Sequence, residues 1–173
     1  MRKYLVKSSK GKENKAESET KTSSDFTLDK ETITRNAIIL LLLVTLDQIL
    51  KIIVVRGFSL NYGFFKIQLV KNTGLLFGML RNNSSLIAYF TLILLGFLLV
   101  NYEKIVFSRL SMTAVVLILA GLTSNTIDRL FFGYVKDFIG VIFWPYFNTA
   151  DSFVVVGALL YVYSLIQQKN NSK

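Results

Sequence analysis

The chain contains no cysteine, no histidine and a single proline among its 173 residues. Without Cys there can be no disulfide scaffold, thiolate metal site, iron–sulfur cluster or thiol nucleophile. Without His there is no Ser-His-Asp triad and no imidazole-ligated metal. Acids are scarce as well, with 11 Asp+Glu against 20 Lys+Arg and a formal net charge of +9. Any hydrolytic chemistry must therefore rest on carboxylates, Lys, Ser or Thr. What the chain has in abundance is apolar surface: 52% of residues are hydrophobic. That excludes a disordered chain and directs the positive charge toward an anionic membrane surface rather than toward nucleic acid.

The charges are unevenly spread. Residues 1–35 hold nine Lys/Arg and six Asp/Glu among Ser, Thr and Lys runs such as "KSSKGKENKAESETKTSSD". They read as a polar, basic, disordered cytoplasmic tail. The segment lacks the basic-then-apolar order of a cleaved signal peptide. From Asn36 onward only five acids remain, Asp47, Glu103, Asp128, Asp137 and Asp151, and a membrane domain is expected over residues 36–168, with a short cytoplasmic tail at 169–173.

Four apolar stretches, 37–55, 86–102, 110–127 and 150–166, read as transmembrane helices, since about 20 helical residues cross ~30 Å of hydrocarbon. The last is expected to be the shortest-reaching span. Segments such as "LIAYFTLILLGFLLV" offer no polar face to water, which argues against a soluble helical bundle. Four spans put both termini on one side, with Lys104, Arg109, Lys169 and Lys173 cytoplasmic, although the opposite loop also carries Arg56, Lys66, Lys71 and Arg81. In that loop, 56–85, Phe58, Leu60, Tyr62 and Phe64 alternate with small or polar residues before Phe65, Ile67 and Leu69 take over. The pattern predicts short β-strands with a bend or bulge near 63–65, resting on the bilayer surface or the helix ends.

The chemistry-bearing residues fall into short motifs. "DQILK" puts Asp47 and Lys51 at i and i+4 on one face of the first span. Charges inside a span cost at least ~2.5 kcal/mol and mark function by default, though a self-satisfied Asp–Lys pair that locks packing is an equal reading. "NTGLLFG" places Asn72 and Gly74 in a turn, with Gly78 permitting a close approach. "SNTIDRLFFGYVKDF" carries Asn125, Asp128 and Arg129, then Asp137; "FNTAD" carries Asn148 and Asp151. Asn148 and Asp151 also suit a helix N-cap and first turn. The apolar connection "FIGVIFWPYFN" is expected to lie in the interface and let Asp137 and Asp151 approach each other.

Two carboxylates a few ångströms apart do not readily both ionise; one keeps a proton as general acid while the other accepts one from water. An aspartyl hydrolase thus agrees with a composition free of Cys and His. A Ser–Lys dyad is the other hydrolytic option, without a distinctive spacing. A small four-span transporter or channel, with Asp47, Asp128 and Asp151 as an ion path, is the competing reading, and an interaction scaffold is a third.

The order "DQILK", "NTGLLFG", "SNTIDRLFFGYVKDF", "FNTAD" on four spans resembles the bacterial lipoprotein signal peptidases (type II signal peptidases) over residues 37–166. The resemblance implies an all-α membrane fold: a four-helix transmembrane bundle with a small extracytoplasmic β-rich cradle between its first two helices. It also implies an aspartyl endopeptidase of the inner membrane, cleaving diacylglyceryl-modified prolipoproteins before the lipidated Cys at the extracytoplasmic face. Asp137 and Asp151 would be the catalytic pair. Arg129 and Asn72 would hold substrate carbonyls, Asp128 would orient Arg129, and Gly74, Asn125, Asn148, Asp47 and Lys51 would support the site. The expected partners are the lipid-modified substrate and membrane lipids, with no nucleic acid, no cofactor or metal, and a monomeric protein. The chain departs from the family pattern in three places: Ser124 stands where Gly usually precedes the Asn, the Asp137-to-Asp151 connection is short, and the polar tail is long.

Overall fold

The computed structural model of the chain describes residues 28–74 and 82–171. Along the chain run α1 (Lys30–Val55), β1 (Leu60–Asn61), β2 (Phe65–Asn72), α2 (Ser84–Val100), a single turn α3 (Tyr102–Ile105), α4 (Arg109–Phe132), β3 (Val135–Val141), β4 (Trp144–Phe147) and α5 (Thr149–Asn171). Three of these helices, α1, α4 and α5, are long and apolar enough to cross a membrane; α2 is apolar and spans 17 residues.

Helix ends follow local chemistry. Asp29 caps α1 by accepting from Thr32 N at 2.8 Å, so the helix starts at Lys30 and takes in residues 30–35 of the expected tail. Residues 1–27 lie outside the described residues, and the disorder expected there with them. α4 begins with a reciprocal Ser108–Ser111 capping box and stops at Gly133, whose φ of +75° is the left-handed C-cap glycine favours. It therefore runs five residues beyond the expected end at 127, which puts Asp128 and Arg129 on its last turns. α5 extends to Asn171, so the expected tail at 169–173 begins inside a helix, and it is α2 rather than this last helix that is shortest.

α4 is the central helix. α5 packs most closely on it, with α1 and α2 also against it. The α4–α5 seam depends on two glycines. A Cβ at Gly121 would stand 2.3 Å from the Ala150 carbonyl oxygen, and one at Gly157 would stand 2.8 Å from that of Ala114. The outward faces stay apolar: Leu41, Ile93 and Leu159 are each more than 60% exposed, as lipid-facing residues are.

One antiparallel sheet in the order β1-β2-β3-β4 sits at one end of the bundle. The expected bend near 63–65 is the β1–β2 hairpin turn, with Gly63 at φ +71°; the register shift lies further on, between Ile67 and Val70 against β3. The strands are not confined to the first loop, because "FIGVIFWPYFN", expected as an interfacial segment, supplies the second half of β3 and all of β4. Val135 to Phe138 are all buried. A strand covered on both faces shows no alternation, and that concealed it.

Gly121→Ala and Gly157→Ala are each expected to cost about 1–3 kcal/mol of stability by overpacking, read as a lower melting temperature in detergent. Gly96→Ala, where a Cβ meets nothing within 4 Å, is the control and does not lower it.

Candidate active site

The motifs converge where the ends of α1 and α4, strand β3 and the start of α5 meet. Lys51, fully buried on α1, contacts Asp47 Oδ2 at 2.7 Å and Asp128 Oδ2 at 2.9 Å, and donates to Asn125 Oδ1 at 3.0 Å. The remaining Asp47 oxygen accepts from Ala150 N at 2.9 Å. Asp47 is thus tied to the first turn of α5 and does not stand alone in the membrane. Ser124, fully buried, donates to Asp47 at 2.6 Å and accepts from Gln48 at 2.8 Å. A glycine there would leave Asp47 without this donor, and no crowding results.

Asp128 turns to lysines rather than to Arg129. Its Oδ1 pairs with Lys136 Nζ, and its Oδ2 accepts from Lys136 N at 3.2 Å. The buried Lys136 ammonium also lies 3.5 Å from the centroid of the exposed Phe132 ring, a cation–π contact. Two acids and two lysines, Asp47, Asp128, Lys51 and Lys136, form a cluster with no net charge, the condition under which buried ions are tolerated. Arg129 instead donates to the Gly74 carbonyl at 3.2 Å, and its Nε is buried without a partner among the described residues. Gly74 is set by an Asx turn, its N–H donating to Asn72 Oδ1 at 3.0 Å. Gly78 and Arg81 lie outside the described residues.

Asp137 and Asp151 meet through Asn148. The Asn148 side-chain amide donates to Asp137 Oδ1 at 2.7 Å, while its backbone N–H donates to Asp151 Oδ2 at 3.1 Å. Asn148 Oδ1 accepts from Asp151 N at 2.9 Å, so the N-cap role read from the sequence and the bridging role are filled by one residue. Asn72 Nδ2 donates to the other Asp137 oxygen at 2.8 Å, and Asn125 Nδ2 donates to Asp151 Oδ1 at 2.8 Å. Asn72 therefore serves Asp137 directly in this structure. Lys51 fixes the Asn125 amide by occupying its oxygen.

Burial and the neighbouring Asp151 charge push Asp137 up to about 7 from an ordinary 3.8, against the hydrogen bonds from Asn72 and Asn148. It is 2% exposed. A cleft of about 480 Å³ opens over the pair, lined by Asn72, Asn125 and Arg129 and by an apolar wall that includes Ile87, Leu122, Tyr146 and Val154. Every buried charged side chain among the described residues, Asp47, Lys51, Asp128, Arg129, Lys136 and Asp137, belongs to this one assembly, which leaves no string of ions at successive depths for a transport path.

Sequence reading missed Gln48, Ser124 and Lys136 as parts of the cluster. The signal for Lys136 was present, a lysine beside Asp137 inside the otherwise apolar run "YVKDFIGV". Ser124 was read as a departure from the family's glycine and as one of several hydroxyls open to a Ser–Lys dyad.

Comparison with known proteins gives a consistent picture. Residues 39–167 match the family model described as signal peptidase (SPase) II. A lipoprotein signal peptidase of Halothermothrix orenii is 36% identical over 138 residues, 76% of this chain and 95% of that protein. One from Borrelia hermsii is 37% identical over 165 residues, 84% and 97% of the two chains. A solved bacterial membrane enzyme, determined by the in meso method at 2.3 Å, aligns with a TM-score of 0.74 at 28% identity, covering 82% of this chain and 93% of that one.

An acid whose folded-state value lies above its unfolded one binds more protons when folded, so its contribution to stability is greatest at low pH and is lost as pH rises from about 4 to about 7. The loss amounts to about 1.4 kcal/mol per pH unit across that window. Asp137→Asn removes the titration, so its melting temperature is expected to exceed that of the wild type at pH 8 and to converge on it at pH 4.5.

Proposed function

Because the chain belongs to the signal peptidase II family, a protease family that removes signal peptides from prolipoproteins, we propose that Asp137 and Asp151 are its catalytic dyad. The carrying observation is the Asn148 bridge: one residue binds both carboxylates at the base of a cleft with an apolar wall. The dyad is held by amides, not by ammonium groups, so nothing compels both carboxylates to ionise together, and Asp137 keeps a proton near neutral pH.

In the reaction one carboxylate takes a proton from water as the water oxygen bonds to the scissile carbonyl carbon. The protonated partner gives its proton to the carbonyl oxygen. The C–N bond of the tetrahedral diol then breaks: the leaving amine collects a proton from one carboxylate while a diol hydroxyl gives its proton to the other, leaving the product carboxylic acid. The two carboxylates end with one proton between them, as they began. Arg129, its guanidinium already on the Gly74 carbonyl, is suited to hold a substrate carbonyl near the dyad.

We place the protein in the bacterial inner membrane as a monomer with four spans, α2 being the fourth. Seventeen helical residues reach roughly 26 Å, and the outward apolar faces of α2 suit lipid. Both termini then lie on the cytoplasmic side, and the sheet, as a cradle, and the cleft face the extracytoplasmic side. The substrate is a diacylglyceryl-modified prolipoprotein cut before its lipidated Cys, entering from lipid between α2 and α5, which both line the cleft.

Purified protein in detergent, with chelator present, is expected to cleave such a prolipoprotein before the lipidated Cys. Asp137→Asn and Asp151→Asn should each lower kcat by about 10²–10⁴-fold with elution unchanged and a cooperative melting transition retained. Equal cleavage by wild type and both variants would move the chemistry off this pair.

A further inference from the structure

Away from Asp137 and Asp151 the bundle carries a second cavity. α1 and α2 both pack on α4, while neither packs closely on the other, and at the end of the bundle opposite the sheet a slot of about 530 Å³ opens between them. The start of α1 lends it Ile33, Ala37 and Leu40, the end of α2 lends Leu99 and Val100, and α4 lends Val116. Its volume falls in the range of small-molecule sites, ~300–1,000 Å³. Leu99 and Val100 are exposed, so these walls are apolar surfaces that need apolar company. One polar group breaks the lining. Asn36 belongs to it and is only 8% exposed, and its Nδ2 has no hydrogen-bond partner among the described residues. The Tyr102 hydroxyl is near enough to feel Asn36 but makes no hydrogen bond with that nitrogen. An amide donor kept from water without an acceptor is costly, and a residue that had only to fill an apolar wall would be Leu or Val.

From this geometry we infer that the slot between α1 and α2 is a binding site for one glycerophospholipid, whose acyl chain lies on Leu40, Leu99, Val100 and Val116 and whose ester or phosphate oxygen accepts from Asn36 Nδ2. The slot asks for an oxygen acceptor joined to a hydrocarbon chain, and it opens on surfaces that face the bilayer; a lipid meets both conditions at once. The depth agrees. Asn36 stands about 9 Å along α1 from its first residue, near the boundary between headgroups and hydrocarbon, while Leu40 lies one turn further in. On the topology proposed above the lipid comes from the cytoplasmic leaflet. It fills the gap that α1 and α2 leave beside α4 and braces the bundle at the end away from the cleft. The inference rests on the membrane reading of these helices and is independent of which carboxylates react.

The test uses the full-length protein in maltoside detergent, stripped of co-purified lipid and titrated with dioleoylphosphatidylglycerol or dioleoylphosphatidylethanolamine. Bound lipid is counted by native mass spectrometry, and the melting temperature is followed alongside. Wild type is expected to retain one lipid per chain and to melt higher as lipid is added. Asn36→Leu, which keeps the wall and removes the donor, holds that lipid about tenfold more weakly and melts no lower than wild type when lipid is absent. Ala37→Phe, which puts a ring into the slot, weakens retention as well. Both variants still cleave a diacylglyceryl-modified prolipoprotein in detergent, which shows that they fold and that the slot is separate from the site of reaction. Equal retention by wild type and both variants overturns the inference and moves the lipid to another face, such as the cleft. A wild type that holds neither lipid overturns it, as does a wild-type dimer that Ala37→Phe dissociates, since the slot would then belong to a second copy of the chain. An Asn36→Leu protein that melts well below wild type without lipid overturns it too, because the amide would then serve packing within the chain.

Discussion

Lys51 must be neutralised in a place without water, and much of the molecule is arranged around that need. A buried ammonium costs several kcal/mol unless its charge is matched and its protons are accepted. Here the three acceptors are Asp47, Asp128 and Asn125, which fixes α1 against α4. Each acid then has an oxygen left over. The Asp47 oxygen takes the Ala150 N–H and so fixes the start of α5. The Asp128 oxygen takes Lys136 and so fixes β3. Two helices, a strand and a helix start are thereby registered against one another by the requirement that no buried charge be left unpaired.

The same network separates two kinds of carboxylate. Asp47 and Asp128 are matched to lysines and serve as structural ions. Asp137 and Asp151 receive their hydrogen bonds from Asn72, Asn125 and Asn148 and from backbone, all neutral donors. A carboxylate held by amides and kept out of water has less reason to ionise than one held by ammonium groups, and two such carboxylates bridged by one asparagine have less still. The difference among the four acids comes from what each is paired with, and under the proposed dyad it suits a hydrolase that lacks His and Cys.

How much of this the sequence disclosed depended on the kind of signal. The apolar stretches marked α1, α2, α4 and α5, because a helix in lipid has to be apolar all round. Their ends were misjudged wherever a polar first or last turn carried the helix on, at 30–35 by the Asp29 cap and at 128–132 up to Gly133. Asp137 and Asp151 stood out because acids are so scarce, and Asn148 because its spacing from Asp151 is that of a cap. The pairing of Asp128 with Lys136 was hidden: adjacent Arg129 looked like the obvious partner, and only the strand that folds back from Gly133 brings Lys136 to it. The β3–β4 hairpin was hidden as well, since a strand buried on both faces has no period of two.

The pH dependence of kcat/KM for wild-type cleavage of a diacylglyceryl-modified prolipoprotein addresses the shared proton itself. If the dyad works with one proton held at Asp137, the rate falls as pH rises through about 7, because above that point both carboxylates are ionised and no general acid remains. A rate that stays level from pH 6 to pH 9 would contradict the assignment, for it would mean that the reaction draws no proton from Asp137.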